Sequence, residues 1–135
     1  MNDRAGPFRR KEDVMELNTL CTIGDVIRLR RDLYLHQDKD ALFRSLDWFI
    51  YTRGAEPEYR MDTPCIIADP PDYDGERELE LFPAFCDEHR MYSELMPEML
   101  DDVLISALDQ KRDASEEELI YALNYYAEID AFFQF

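Results

Sequence analysis

The chain has 135 residues, 46% of them apolar, and carries 15 Lys/Arg against 31 Asp/Glu for a net charge of −16. That length fits one domain with enough apolar surface for a core, and eight Tyr, eight Phe and one Trp argue against a disordered chain. The charge argues against direct binding to nucleic acid or an anionic membrane, which requires a basic footprint, and favours cationic partners.

Residues 1–12 read as a flexible, basic-leaning N-terminal arm, and residues 13–135 as a single domain. The arm lacks the apolar stretch of a secretory signal, and no apolar run is long enough to span a membrane. From Asn18 to His36 the pattern is an amphipathic helix, with Thr22 as N-cap and Val26, Leu29 and Leu33 at helical spacing. A polar break at residues 36–40 leads to a strand around 46–52, rich in aromatic and β-branched residues. Gly54 and Pro57 mark a turn. Thr63 to Asp69 reads as a short buried strand, ended by Pro70-Pro71, which cannot continue a ladder.

Residues 82–89 suit one or two helical turns, and 90–95 a strand. Pro97 fits the first turn of a helix whose stripe is Leu100, Val103, Leu104, Ala107 and Leu108. Ser115 and Glu118 form a capping box, so the last helix starts at Glu116 and runs to about Ala131, burying Leu119, Leu123, Tyr126 and Ala127. Tyr121 and Tyr125 lie off that face, and serve either the core or a partner or dimer seam. The order of elements predicts an α+β domain, a small antiparallel sheet packed with about three to four helices. Three widely spaced cysteines (Cys21, Cys65, Cys86) without a C-x-x-C suit a reducing cytoplasm.

The chemistry concentrates in residues 69–80, with six carboxylates: Asp69, Asp72, Asp74, Glu76, Glu78 and Glu80. As a calcium loop with Gly75 at its sixth position, the first and twelfth positions are Pro70 and Leu81, so both anchoring ligands are missing. In an extended chain, residues i and i+2 face the same way about 6.6 Å apart. Asp72 to Glu80 would then line five carboxylates on one side, with Gly75 a break and Glu76–Leu81 the firm part. One explanation is an edge strand that buries Leu79 and Leu81 and wets its acids. The other is a row of charge that imitates a phosphate backbone before a basic protein, with Tyr73 and Tyr59 as aromatic anchors.

For catalysis, Cys86 and His89 lie three apart but match no nucleophile signature, and with distant His36 and Cys65 they make no zinc set. The neighbours Asp101 and Asp102 point to different helix faces. There is no Gly-rich phosphate loop, G-x-S-x-G or H-E-x-x-H.

Thr63-Pro64-Cys65-Ile66-Ile67-Ala68-Asp69-Pro70 together with Ser115–Phe132 resembles a family of small acidic bacterial proteins. These share a T-P-C element, an acidic loop and a closing helix with N-Y-Y and D-A-F. The resemblance covers about residues 44–135. Such proteins are similar to immunity or antitoxin partners of bacterial competition toxins, which implies a binding module rather than an enzyme. It attaches no catalytic residue, and no particular toxin partner follows from it.

The sequence therefore predicts a cytoplasmic, non-enzymatic module without cofactor or metal. It would neutralise a basic toxin, most concretely a nuclease, through Asp69, Asp72, Tyr73, Asp74, Glu76, Glu78 and Glu80. The alternative is an acidic nucleic-acid mimic acting on a host-defence or DNA-binding protein.

Overall fold

The computed structural model describes residues 16–43, 47–54 and 58–135. The basic arm at residues 1–12 lies outside the described residues. In chain order the elements are β1 (Thr19–Thr22), α1 (Ile23–His36), α2 (Lys39–Phe43), β2 (Phe49–Thr52), β3 (Pro64–Ala68), β4 (Asp72–Asp74), β5 (Leu79–Leu81), α3 (Ala84–His89), β6 (Ser93–Leu95), α4 (Pro97–Gln110) and α5 (Glu116–Ile129). The class is α+β, as expected. Three helices of 14 residues and two short ones accompany a four-stranded antiparallel sheet of order β1-β3-β2-β6, and β4 and β5 form a separate ribbon.

Local chemistry sets the helix starts. The Thr22 hydroxyl accepts from the Asp25 backbone N–H at 3.1 Å while the Asp25 carboxylate accepts from the Thr22 N–H at 3.0 Å. Ser115 and Glu118 make the same reciprocal pair at 3.1 and 2.8 Å, as predicted. Pro97 opens α4, where its missing N–H costs nothing. Two boundaries differ from expectation. Residues 19–22, where the helical pattern is expected to begin ahead of the Thr22 cap, are instead a strand, because they pair with β3 in the register Cys21↔Cys65. In α5 the buried set is Leu119, Ala122 and Leu123; Ala127 is exposed and Tyr126 half-buried, and the helix stops at Ile129.

Strand alternation divides the sheet into two faces. Cys21, Ile50, Cys65, Ile67 and Leu95 turn towards α1, α4 and α5 and join the main core. Tyr51, Ile66 and Ala68 turn the other way, into a smaller core with Cys86 and Met91 that Phe49, Phe82 and Phe85 cover. The sheet is therefore the middle layer, with the three long helices on one side and α3 and the base of the ribbon on the other. The opposed thiols of Cys21 and Cys65 lie 3.7 Å apart inside the main core, as free cysteines.

One charged pair sits among the apolar side chains. Arg30 and Asp101 are both fully buried. The guanidinium donates to both carboxylate oxygens at 3.1 and 2.8 Å and to the Leu42 carbonyl at 3.0 Å, and its Cζ stands 4.9 Å from the centre of the Trp48 ring. Burial pushes the Asp101 carboxyl above its ordinary value, and Arg30 pulls it part of the way back. The surface of α1 is tied separately to α5, by Arg28 in a two-pronged contact with Glu116 at 2.8 and 3.1 Å. That contact holds the Glu116 carboxyl below its usual range.

Close approach fixes the loop before β3. Gly24 donates its N–H to the Met61 carbonyl at 2.8 Å, and a Cβ at Gly24 would stand 2.6 Å from the same oxygen. From the other side, Asn124 of α5 accepts from the Tyr59 N–H at 2.7 Å and donates to the Tyr59 carbonyl at 2.8 Å.

Removing either partner of the buried ion pair leaves an uncompensated charge. Asp101→Ala and Arg30→Met should each cost about 3–5 kcal/mol in denaturant unfolding, and the Arg30→Met/Asp101→Leu double variant should recover most of that loss.

Candidate functional site

The acidic stretch is a hairpin. The side chain of Asp74 accepts from the backbone N–H groups of Glu76 and Arg77 at 3.1 and 3.3 Å, which turns the chain at Gly75. Glu78 closes the turn at φ 54°, a left-handed conformation that costs a side chain with a Cβ. Strand β5 then returns beside β4 in the register Asp72↔Leu81, Tyr73↔Glu80 and Asp74↔Leu79.

This overturns the single row of five carboxylates. Directly opposed residues of an antiparallel pair share a face. Asp72, Asp74, Leu79 and Leu81 therefore lie on one side of the ribbon, and Tyr73 and Glu80 on the other. Glu76 and Glu78 sit at the tip, exposed, and Asp69 lies at the base, after β3. Leu79 and Leu81, expected to be buried, are 47% and 44% exposed, and Tyr73 is 62% exposed. The ribbon pairs with no other strand among the described residues. It thus presents carboxylates and apolar side chains together.

Its base is anchored to the second face of the sheet. Phe82 packs edge-on against Tyr51 and Tyr92, at ring separations of 6.0 and 5.3 Å. The Tyr51 hydroxyl donates to the Asp69 carbonyl at 2.8 Å, so Asp69 contributes its backbone to the anchor while its side chain stays at the surface. Glu80 reaches Glu94 on β6. Burial raises the Glu94 carboxyl above its ordinary value, and the charge of Glu80 and a hydrogen bond with it raise it further. Glu94 was not singled out from the sequence. It became a neighbour of Glu80 only because β6 pairs with β2 in the register Tyr51↔Glu94, which places it on the ribbon's side of the sheet.

The Cys86 thiol and the His89 ring sit in different surroundings. Cys86 is fully buried and its thiol is pushed up to about 11, chiefly by desolvation. The His89 ring packs on Phe85 at 4.5 Å instead. Asp101 and Asp102 do point to different sides, one buried on Arg30 and the other exposed. No group of three or more His, Cys, Asp or Glu among the described residues could hold a metal ion. No helix among them is long and apolar enough to cross a membrane.

The raised Glu94 carboxyl gives stability a defined pH dependence. A carboxyl raised in the folded state binds more protons there than in the unfolded chain. Stability is therefore lost as pH rises from the ordinary carboxylate range through the raised value, and the cost is complete above it. Glu80→Gln should raise the melting temperature at pH 7, and that gain should shrink as the pH falls to about 4. Thermal unfolding across that range measures it.

A family model described as "Domain of unknown function (DUF7716)" matches residues 22–135, and the chain belongs to that family. No curated protein and no solved structure matches the chain.

Proposed function

We propose that this member of the DUF7716 family is a non-enzymatic binding module whose acidic ribbon receives a basic protein. In its most concrete form it is an inhibitor of the immunity or antitoxin kind, blocking the cationic surface with which a toxin such as a nuclease holds its substrate. The observation that carries this reading is the ribbon itself. It projects Asp72, Asp74, Glu76, Glu78 and Glu80 together with exposed Tyr73, Leu79 and Leu81.

The combination has a physical logic. Carboxylates presented to Lys and Arg steer encounter and make charge-assisted hydrogen bonds. Desolvated aromatic and aliphatic anchors supply the slow dissociation that long-range charge alone does not. A polyanion mimic working through charge has no need of apolar side chains on the same ribbon. Tyr73, Leu79 and Leu81 therefore favour one selective partner over a generic nucleic-acid mimic.

The test is capture from the native host with the tagged chain, washed at low and then high salt, followed by binding kinetics on the retained protein. One basic protein that survives high salt supports the reading. The Glu76→Lys/Glu78→Lys/Glu80→Lys variant should slow its association by about tenfold or more and leave stability within about 1 kcal/mol. An unchanged association rate removes the ribbon from the interface and overturns the proposal.

A further inference from the structure

A second surface, on the opposite side of the sheet from the ribbon, has its own recognition chemistry. On α5 the residues Glu117, Tyr121, Tyr125 and Glu128 follow one another at three- and four-residue spacing and so lie along one side of the helix. The loop that carries Glu58 and Tyr59 forms the facing wall. Between them is a groove of about 430 Å³, floored in part by Ile120 and Met61. That volume falls within the ~300–1,000 Å³ of ordinary ligand clefts.

The wall and the rings are fixed. Asn124 clamps both backbone polar groups of Tyr59, and the Tyr59 ring packs against the main core. Tyr121 and Tyr125 are 6.4 Å apart, and Phe133 stands edge-on to both at 5.0 and 5.3 Å. The Phe133 segment is itself held by Gln110, which donates to the Phe133 carbonyl at 2.9 Å and accepts from the Phe135 N–H at 3.0 Å.

The acids separate into two groups. In the first turn of α5, Glu116 is paired with Arg28 and Glu118 with Lys111. Glu117, between them and facing the groove, has no ion pair among the described residues, and neither do Glu58 and Glu128. Glu128 also stands in the last turn of α5, which contains no basic residue, where the helix dipole disfavours a carboxylate. Among the described residues lining the groove the cation is Arg60, which is engaged with Asp62 at 3.3 Å. Three tyrosines and three carboxylates without an ion pair among the described residues thus surround one cavity.

We propose that this groove binds an arginine side chain presented by a basic polypeptide segment, stacking the guanidinium on Tyr121, Tyr125 or Tyr59 and pairing it with Glu58, Glu117 and Glu128. Arginine fits better than lysine because its flat cation stacks on aromatic faces while its five N–H donors reach carboxylates in the same plane. The site does not depend on the ribbon's role.

The probe is a blocked Gly-Arg-Gly tripeptide, with Gly-citrulline-Gly as its uncharged counterpart, titrated into the full chain and followed by NMR. The arginine peptide should give saturable shifts at the Asn124 side-chain amide and the rings of Tyr59, Tyr121 and Tyr125. The citrulline peptide should bind about fivefold or more weakly. Glu128→Gln should weaken the arginine peptide severalfold while leaving the melting temperature equal or higher, since it removes a charge that opposes the dipole. The variant reversed at Glu76, Glu78 and Glu80 should bind the peptide at the groove as before, which separates this test from that of the ribbon. Absence of saturable shifts, shifts confined to residues 72–81, or equal binding by Glu128→Gln would overturn the proposal.

Discussion

The Arg30–Asp101 pair is the constraint on which the helical layer depends. A hydrophobic stripe tolerates some sliding and rotation of one helix on another, because apolar contact is non-directional. A buried guanidinium does not. Its donors meet the Asp101 carboxylate of α4 and the Leu42 carbonyl of α2, with the Trp48 ring against its face. Any shift of these elements would strand a charge out of contact with water, so the pair specifies one arrangement of α1, α2 and α4. The Thr22 cap joins α1 directly to β1, so the orientation of the helix also sets where the sheet begins.

The remaining charge is organised around that frame. Where acids serve the fold they have partners: Asp25 caps α1, Glu116 meets Arg28, Glu118 meets Lys111. Other carboxylates are exposed on the β4–β5 ribbon, where Asp74 makes the turn and lies 3.6 Å from Arg77, and on the side of α5 that faces the Tyr59 loop. A net charge of −16 is therefore not a uniform coat. On the ribbon and along the groove, carboxylates stand beside exposed or groove-lining aromatic residues, a pairing that favours contacts with cations over simple hydration.

Much of the fold was legible where local signals and periodicity agreed. The caps at Thr22 and Ser115, Pro97 at the head of α4 and the stripe from Leu100 to Leu108 all stand as expected. Strand β1 was hidden because its four residues precede a helix without a break, and only pairing with β3 makes them a strand. In the ribbon the acid alternation suggests an extended run from Glu76 to Leu81 after a break at Gly75, whereas residues 75–78 are the turn itself and only Leu79–Leu81 is strand. The Asp74-Gly75 step, a known hairpin signal, was the available clue, and Asp74 does make the turn. Arg30 and Asp101 also left a trace. Each falls on its helix's apolar stripe, Arg30 among Ile23, Val26, Ile27 and Leu33, and Asp101 among Pro97, Leu104 and Leu108. That they meet is tertiary information which neither helix contains alone.

The close approach of Gly24 to Met61 has a consequence for recognition. With the Asn124 clamp, it holds residues 59–61 between the start of α1 and the middle of α5. The conformational entropy of this short segment is thus lost when the domain folds. A ligand at the proposed groove would meet a segment already ordered, so less of its contact energy would be consumed in ordering the protein. A single missing methyl group at the head of a helix would in this way bear on how tightly the proposed groove, on the far side of Met61, held a ligand.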